Sequence, residues 1–133
     1  MALIEQDYYR HQLLSPWGEE AFALRAQLIV QDTKLLLANG CDVIIEGVLP
    51  KDWFRDIYMT INADAAHVYY FDIPFNETVR RHAGRDKANN FGEETLRQWW
   101  REKDFLDVPG ERVIDHLQSA DSIVERIMAD IGA

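Results

Sequence analysis

The sequence has a single cysteine, Cys41, which excludes an intramolecular disulfide and fits a reducing compartment. It has no apolar run near the ~20 residues that a transmembrane helix needs, so no membrane partner is expected. The first ten residues lack a basic flank and include an acid at Glu5, which is not typical of a signal peptide. The cytoplasm is therefore the expected compartment.

Basic residues are scarce, with 14 Lys and Arg against 23 Asp and Glu, and the net charge of −9 argues against a nucleic-acid partner. Their distribution is uneven, because seven of them lie between Arg80 and Lys103 together with four acids. A cationic segment on an acidic protein indicates a focused anion site. The alternative is a solvated helical face, which is the more frequent origin of a charge run.

Short apolar runs alternate with longer helical patterns along the chain. The strand-like runs are residues 2–4, 42–46, 67–72 and 112–115, and the helical patterns are residues 15–39, 50–62, 75–84, 93–102 and 123–131. Ser15 and Pro16 are expected to begin the first helix, Asn39 and Gly40 to end it, and Ser119 to cap the last one. The runs at 42–46 and 67–72 are continuous, which predicts strands buried on both faces. This alternation predicts a parallel sheet with helices on both faces, in one domain over residues 1–133.

Acidic residues stand where three of these strands end. Asp7, Glu46 and Asp72 follow the apolar runs directly or closely. Ligands of open parallel sheets bind beyond the carboxyl ends of the strands. Carboxylates at that edge can hold a magnesium ion or accept a proton from a substrate hydroxyl. The alternative is that these acids cap the following helices or are solvated, and for Asp72 we prefer that interpretation.

Two arginines in the cationic segment, Arg81 and Arg85, are four residues apart, which predicts that they share one face of a helix. Two guanidinium groups on one face can grip a polyphosphate through forked hydrogen bonds. Arg80 points elsewhere and is expected at the surface.

Four segments follow one another in a fixed order: Leu3-Ile-Glu-Gln-Asp7-x-x-Arg10, Asp42-Val-Ile-Ile-Glu46-Gly47, His67-Val-Tyr-Tyr-Phe-Asp72-x-Pro-Phe75-x-Glu-Thr-x-x-Arg81-His82-x-x-Arg85, and Phe91-Gly92 with Trp99-Trp100 and Asp104. This ordered set resembles bacterial ATP-binding kinases of the zeta-toxin-like and chloramphenicol-phosphotransferase-like group. The resemblance covers nearly the whole chain and is fairly specific for the group, although it leaves the acceptor open.

The resemblance implies a role for each matching residue. Asp7 matches the acid that activates the acceptor hydroxyl, and Arg10 matches a basic position near the acceptor. Glu46 matches an acid close to the magnesium ion and the substrate. Arg81 and Arg85 match the arginines of a lid, here residues 80–106, that closes over the phosphates of ATP. Phosphoryl transfer needs this combination of positioning, a metal ion and cationic clamps.

The fold implied by the resemblance is a three-layer α/β fold of the P-loop NTPase type, but the phosphate-binding loop is missing. None of the seven glycines is followed by lysine, so the motif G-x-x-x-x-G-K-[ST] does not occur. The first strand of the fold is missing with it. In the strand order 2-3-1-4-5 of such kinases that strand is central, so its loss would leave the third and fourth strands with open edges. These strands could pair directly, two chains could share edges in a homodimer, or the sequence could be a fragment, which we favour.

Two functions are consistent with these features. The first is an ATP-dependent phosphotransferase that acts on a hydroxyl of a small molecule, uses ATP and Mg²⁺, and is incomplete as it stands. The second is a non-catalytic remnant of such a kinase that serves as a dimerising or anion-binding module.

Overall fold

The computed structural model describes residues 1–15, 20–61, 65–85 and 91–132. The chain divides into two compact units, Met1–Asp64 and Ala65–Ala133. Both units combine helices with one pair of parallel strands, which confirms the expected α/β class with parallel pairing. The expectation of one kinase-like domain over residues 1–133 stays a prediction.

The first unit contains two strands and the helices around them. The elements are β1 (Ala2–Glu5), α1 (Gln6–Tyr8), a π-helical turn (Tyr9–Leu13), α2 (Phe22–Ala38), β2 (Val43–Glu46) and α3 (Lys51–Ile61). β1 pairs with β2 in a register that sets Leu3 beside Ile44 and Glu5 beside Glu46. The expected start of α2 at Ser15 and Pro16 is not adopted, because Ser15 lies in a turn and α2 begins at Phe22; Pro16 lies outside the described residues.

The end of α2 follows the sequence signal closely. Gly40 has a φ of 77°, a left-handed conformation that glycine adopts without steric cost. Its amide donates to the carbonyl of Leu37, and the amide of Cys41 donates to the carbonyl of Leu36. These two bonds form the Schellman motif that satisfies the last carbonyls of a helix. The predicted stop at Asn39 and Gly40 is therefore confirmed.

The core of the first unit is built from apolar side chains of β1, the π-helical turn, α2 and α3. Its buried members are Ile4, Tyr9, Ile29, Val30 and Ile57. These residues come from one face of β1 and the inward faces of the helices, so the sheet has one covered face.

The opposite face of this sheet is open. Leu3 is 59% exposed and its register partner Ile44 is 46% exposed. Burial therefore alternates along β2, and the prediction that residues 42–46 are buried on both faces is wrong for this chain. The reason is that the apolar run supplies side chains to both faces, whereas the core of the unit lies against one of them.

The second unit contains β3 (Tyr69–Asp72), α4 (Phe75–Ala83), α5 (Glu93–Trp99), β4 (Arg112–Asp115) and α6 (Ala120–Asp130). β3 pairs with β4 in parallel. Phe71 is 52% exposed, whereas its neighbours Tyr70 and Asp72 are half-buried. The prediction that residues 67–72 form a strand buried on both faces is therefore also wrong. β2 and β3 correspond to the third and fourth strands of the kinase strand order. They belong to different sheets, so the direct pairing of these two strands does not occur among the described residues.

Local signals also set the ends of the elements in this unit. Ser119 caps α6, as predicted, because its hydroxyl oxygen accepts a hydrogen bond from the amide of Ser122 at 3.2 Å. α5 ends at Trp99, three residues before the predicted end at Glu102. None of the described helices is both long and apolar enough to cross a membrane.

Replacing Ile29 by alanine tests the core of the first unit. Ile29 has no exposed surface, so Ile29→Ala is expected to lower the free energy of unfolding by about 2 to 5 kcal/mol through lost burial and the cavity left behind. Leu35→Ala on the same helix is the matched control, because Leu35 is 65% exposed and should change stability by about 0.5 kcal/mol or less. Equal losses for both variants, measured by urea denaturation, would contradict the assigned core.

Candidate functional site

Parallel pairing gathers the ends of β1 and β2 at one edge of the first sheet. Glu5 and Glu46 are register partners at the last pair of this ladder, and Asp7 lies two residues further on, in α1. Asp7 is half-buried and Glu46 is exposed. The structure therefore brings the two predicted carboxylates to the same sheet edge, where a parallel sheet binds its ligands.

A close contact between Gln6 and Gly47 fixes this edge. Gln6 is 4% exposed, and a Cβ added to Gly47 would lie 2.6 Å from the Cβ of Gln6, closer than two such atoms can approach. Gly47 also has a φ of 144°, which side-chain-bearing residues rarely adopt. Because Gln6 precedes Asp7 and Gly47 follows Glu46, the contact joins the two segments that carry these carboxylates. The role of Gly47 was not predicted from the sequence, although a glycine directly after a strand-end acid is a signal of close backbone approach.

The π-helical turn after α1 carries Arg10, which is half-buried. This turn is anchored by Tyr9, whose hydroxyl donates to the carboxylate of Asp32 at 2.6 Å. Burial, and then the hydrogen bond to Asp32, raises the pKa of the Tyr9 phenol above its usual range. The hydroxyl therefore stays protonated and keeps donating at any physiological pH, which holds the segment of Asp7 and Arg10 against α2.

A buried cation, which sequence reasoning missed, lies in the same unit. Arg25 of α2 is 1% exposed, and its guanidinium carbon lies 4.5 Å from the ring centre of Phe22 and 5.4 Å from that of Trp53. Both distances are typical of cation–π contacts. Arg25 lies four residues before the buried Ile29 and eight before the buried Thr33, and this helical spacing was the signal for its burial.

The second sheet edge has its own pair of acids. Asp72 and Asp115 are register partners at the carboxyl ends of β3 and β4. Asp72 accepts a hydrogen bond from the ammonium group of Lys103 at 2.7 Å, whereas Asp115 accepts from the amide of Leu117 at 2.9 Å. Lys103 was not among the predicted site residues, because nothing in its neighbourhood along the sequence indicates the contact with a residue 31 positions away.

Arg81 reaches the same edge of the second sheet. Its Nη2 donates to the carbonyl of His116, the residue after β4, at 3.1 Å. Its Nε donates to Glu77 at 2.8 Å, and Arg80 binds the same carboxylate through two hydrogen bonds. These hydrogen bonds from Arg80 and Arg81 lower the pKa of Glu77 to about 2. Arg80 is 72% exposed, as expected for a surface residue.

Arg85 does not share a helical face with Arg81, so this prediction is wrong. α4 ends at Ala83, with Gly84 as its cap, and Arg85 lies in a bend where its amide donates to the carbonyl of His82. Gly84 has a low helix propensity and ends the helix before the second arginine is reached. Arg85 is exposed, and the i, i+4 spacing does not hold the two guanidinium groups side by side.

The described part of the predicted lid is fastened by aromatic packing. His82 is 6% exposed, stacks on Phe91 at 4.3 Å, and donates from Nε2 to the carbonyl of Phe91 at 2.8 Å. Phe91 also contacts Trp99, and Phe75 contacts Trp100 with ring centres 5.2 Å apart. These rings join α4 to α5. Residues 86–90 of the lid lie outside the described residues.

The predicted site residues are divided between the units. Asp7, Arg10 and Glu46 belong to the first unit, and Arg81 and Arg85 belong to the second. Within the described residues, no group of three or more histidine, cysteine, aspartate or glutamate side chains is arranged to hold a metal ion.

Gly47→Ala is expected to destabilise the first unit more than Gly40→Ala does. Both glycines have positive φ values, so alanine at either position costs about 1 to 2 kcal/mol of backbone strain. The Cβ at position 47 also collides with Gln6, which adds roughly 1 to 3 kcal/mol of overpacking, whereas position 40 has open space. Urea denaturation measures both losses. A loss for Gly47→Ala no larger than that for Gly40→Ala would contradict the close contact.

Glu77 is expected to make the free energy of unfolding depend on pH at values below the ordinary pKa of a glutamate side chain. Its pKa is depressed from 4.5 to about 2 in the folded chain, so the stabilisation is complete above pH 4.5 and is lost as pH falls towards 2. The difference in free energy of unfolding between wild type and Glu77→Gln should shrink over that interval. In the control background Arg80→Gln/Arg81→Gln, the pH dependence of this difference should disappear. A difference that is constant from pH 6 to pH 2 would contradict the assigned ion pairs.

Comparison with known proteins gives no relative: no protein-family model, curated protein or solved structure matches the chain.

Proposed function

We propose that this chain supplies the acceptor side and the lid of an ATP-dependent phosphotransferase that acts on a small-molecule hydroxyl. The observation that carries the proposal is the pairing of strands: β1 with β2, and β3 with β4, both parallel. A kinase with the strand order 2-3-1-4-5 would leave these two pairs if its central first strand were removed. The three-layer α/β fold, in which helices cover both faces of a parallel sheet, is part of this proposal.

Asp7 is the proposed general base. Its carboxylate follows β1 at the edge where parallel sheets bind ligands, and it is half-buried, which keeps it in a defined position. In the transfer, the acceptor oxygen forms a bond to the γ-phosphorus of ATP as the bond to the leaving oxygen of ADP breaks. Asp7 takes the hydroxyl proton as this happens. Arg10, three residues after Asp7, is the proposed acceptor-binding cation.

Glu46 is the proposed partner of magnesium. Mg²⁺ commonly binds one or two carboxylates and completes its shell with water and substrate phosphates, so the exposed carboxylate of Glu46 at the strand end fits this ion. When bound, the ion would neutralise charge on the phosphates of ATP. Glu46 would orient it, and the contact between Gln6 and Gly47 would hold Glu46 in register with the segment of Asp7.

Arg81 and Arg85 are the proposed phosphate-binding residues of the lid. Arg81 already lies at the carboxyl edge of β3 and β4 through its bond to His116. Arg85 is exposed at the end of α4, next to the undescribed part of the lid, and it would approach the phosphates independently of Arg81. The phosphate-binding loop is absent from the sequence, so nucleotide binding by this chain alone should be weak.

The alternative is a non-catalytic remnant that dimerises through its sheets. The exposure of Leu3 and Ile44 favours it, because a second copy could cover this apolar face. Under this alternative the DNA upstream of Met1 has an in-frame stop codon, and the chain dimerises in sedimentation experiments.

The proposed phosphotransferase predicts that the DNA upstream of Met1 encodes G-x-x-x-x-G-K-[ST] in frame. In the longer chain, Asp7→Asn should reduce phosphoryl transfer about 10²- to 10⁴-fold, because the general base is lost, while ATP binding measured by calorimetry is retained. Glu5→Gln is the matched control, since Glu5 is an exposed carboxylate at the same sheet edge. Equal activity in Asp7→Asn and wild type, or micromolar ATP affinity of the 133-residue chain, would contradict the proposal.

A further inference from the structure

Lys103 has an unusual backbone conformation at the carboxyl edge of the second sheet. Its φ is 45°, in the left-handed region that residues other than glycine, asparagine and aspartate seldom adopt. The conformation is held by neighbours, because the carbonyl of Lys103 accepts from the amide of Phe105 at 2.8 Å and the amide of Asp104 donates to the hydroxyl of Tyr70 at 3.0 Å. Strained residues that the surrounding structure maintains are frequent at ligand-binding sites.

The side chain of Lys103 is brought to the strand ends by this conformation. Its ammonium group lies 2.7 Å from a carboxylate oxygen of Asp72, the last residue of β3. Asp72 is the register partner of Asp115, the last residue of β4, and the guanidinium of Arg81 binds the carbonyl of His116 directly after it. Two cations from different segments therefore meet the carboxyl ends of β3 and β4.

We infer that Lys103 is a second phosphate-binding cation at this edge. In the chain without ligand, a carboxylate oxygen of Asp72 occupies the position beside the ammonium group that an oxygen of a polyphosphate would take. The inference rests on the proposed phosphotransferase function and adds a residue to it. The ligand class is an inorganic or nucleoside polyphosphate. The ammonium group has three donors, so it can contact a phosphate oxygen as it leaves the carboxylate.

The exchange is favourable because the existing pair is exposed. The side chain of Lys103 is 58% exposed and that of Asp72 is 26% exposed, and ion pairs of this kind contribute little to stability. A polyphosphate carries more charge than one carboxylate and can engage Lys103 and Arg81 together. Asp72 thus competes with the ligand for Lys103, so removing Lys103 and removing Asp72 should change the affinity for polyphosphate in opposite directions.

The test measures binding of inorganic tripolyphosphate to the 133-residue chain by calorimetry at low ionic strength. Lys103→Asn removes the ammonium group but tolerates the left-handed backbone, and it should weaken binding about tenfold, the usual effect of one charge-assisted hydrogen bond. Lys103→Arg retains the charge and should retain most of the affinity. Circular dichroism establishes that each variant is folded.

Asp72→Asn should instead strengthen binding, because Lys103 is released. Asp115→Asn is the matched control: it removes one negative charge at the same edge, but Asp115 accepts from an amide and not from a cation. Asp72→Asn should therefore gain several-fold more affinity than Asp115→Asn, on the order of the strength of one exposed ion pair. The gain should vanish in Asp72→Asn/Lys103→Asn.

Several results would overturn the inference: unchanged affinity in Lys103→Asn, equal gains in Asp72→Asn and Asp115→Asn, or no binding by any variant. Binding that depends on Arg81 but not on Lys103 overturns the inference and leaves the phosphotransferase standing. Binding that depends on Lys103, combined with no phosphoryl transfer by a longer chain that carries the phosphate loop, supports the Lys103 site and rejects the phosphotransferase.

Discussion

Parallel strand pairing is the constraint on which both candidate edges depend. In each pair the strands run in the same direction, so their carboxyl ends, and the residues that follow them, meet at one edge of the sheet. For this reason Asp7 and Glu46 lie at the same edge of the first sheet. Lys103 and Arg81 contact residues at the corresponding edge of the second sheet. Antiparallel pairing would have sent the two strand ends to opposite edges and separated these groups.

The elements themselves could be predicted because their signals are local. Asn39 and Gly40 end α2, Ser119 begins α6, and the run from Arg112 to Asp115 forms β4 with the predicted bounds. At the two helix ends the deciding bonds join residues within five positions, such as Cys41 to Leu36, whereas β4 was indicated by its short apolar run. The alternation of strands and helices then predicted parallel pairing, since a strand that returns through a crossover helix runs in its original direction.

The contacts that shape the site could not be predicted, because they join distant parts of the chain. Gln6 lies against Gly47, Lys103 against Asp72 and Arg81 against His116, and no local pattern selects these partners. The prediction that Arg81 and Arg85 share a helical face failed for a local reason. It assumed that the helix continues through Gly84, whereas Gly84 is the cap at which α4 ends. Spacing predicts a shared face only as far as the helix continues.

The open face of the first sheet bears on the choice between the two proposed functions. Leu3 and Ile44 are exposed side by side, although parallel sheets are normally covered on both faces. A symmetric partner is a poor cover, because side chains alternate along a strand and Glu5 and Glu46 therefore project from this same face. In a face-to-face dimer these carboxylates would lie in or beside the apolar interface, where an unpaired charge is costly to bury, in a chain whose net charge is already −9. A positively charged cover would match the apolar and the acidic side chains of this face together, and the strand, loop and helix of the proposed phosphotransferase, with the lysine of their loop, would supply such a cover.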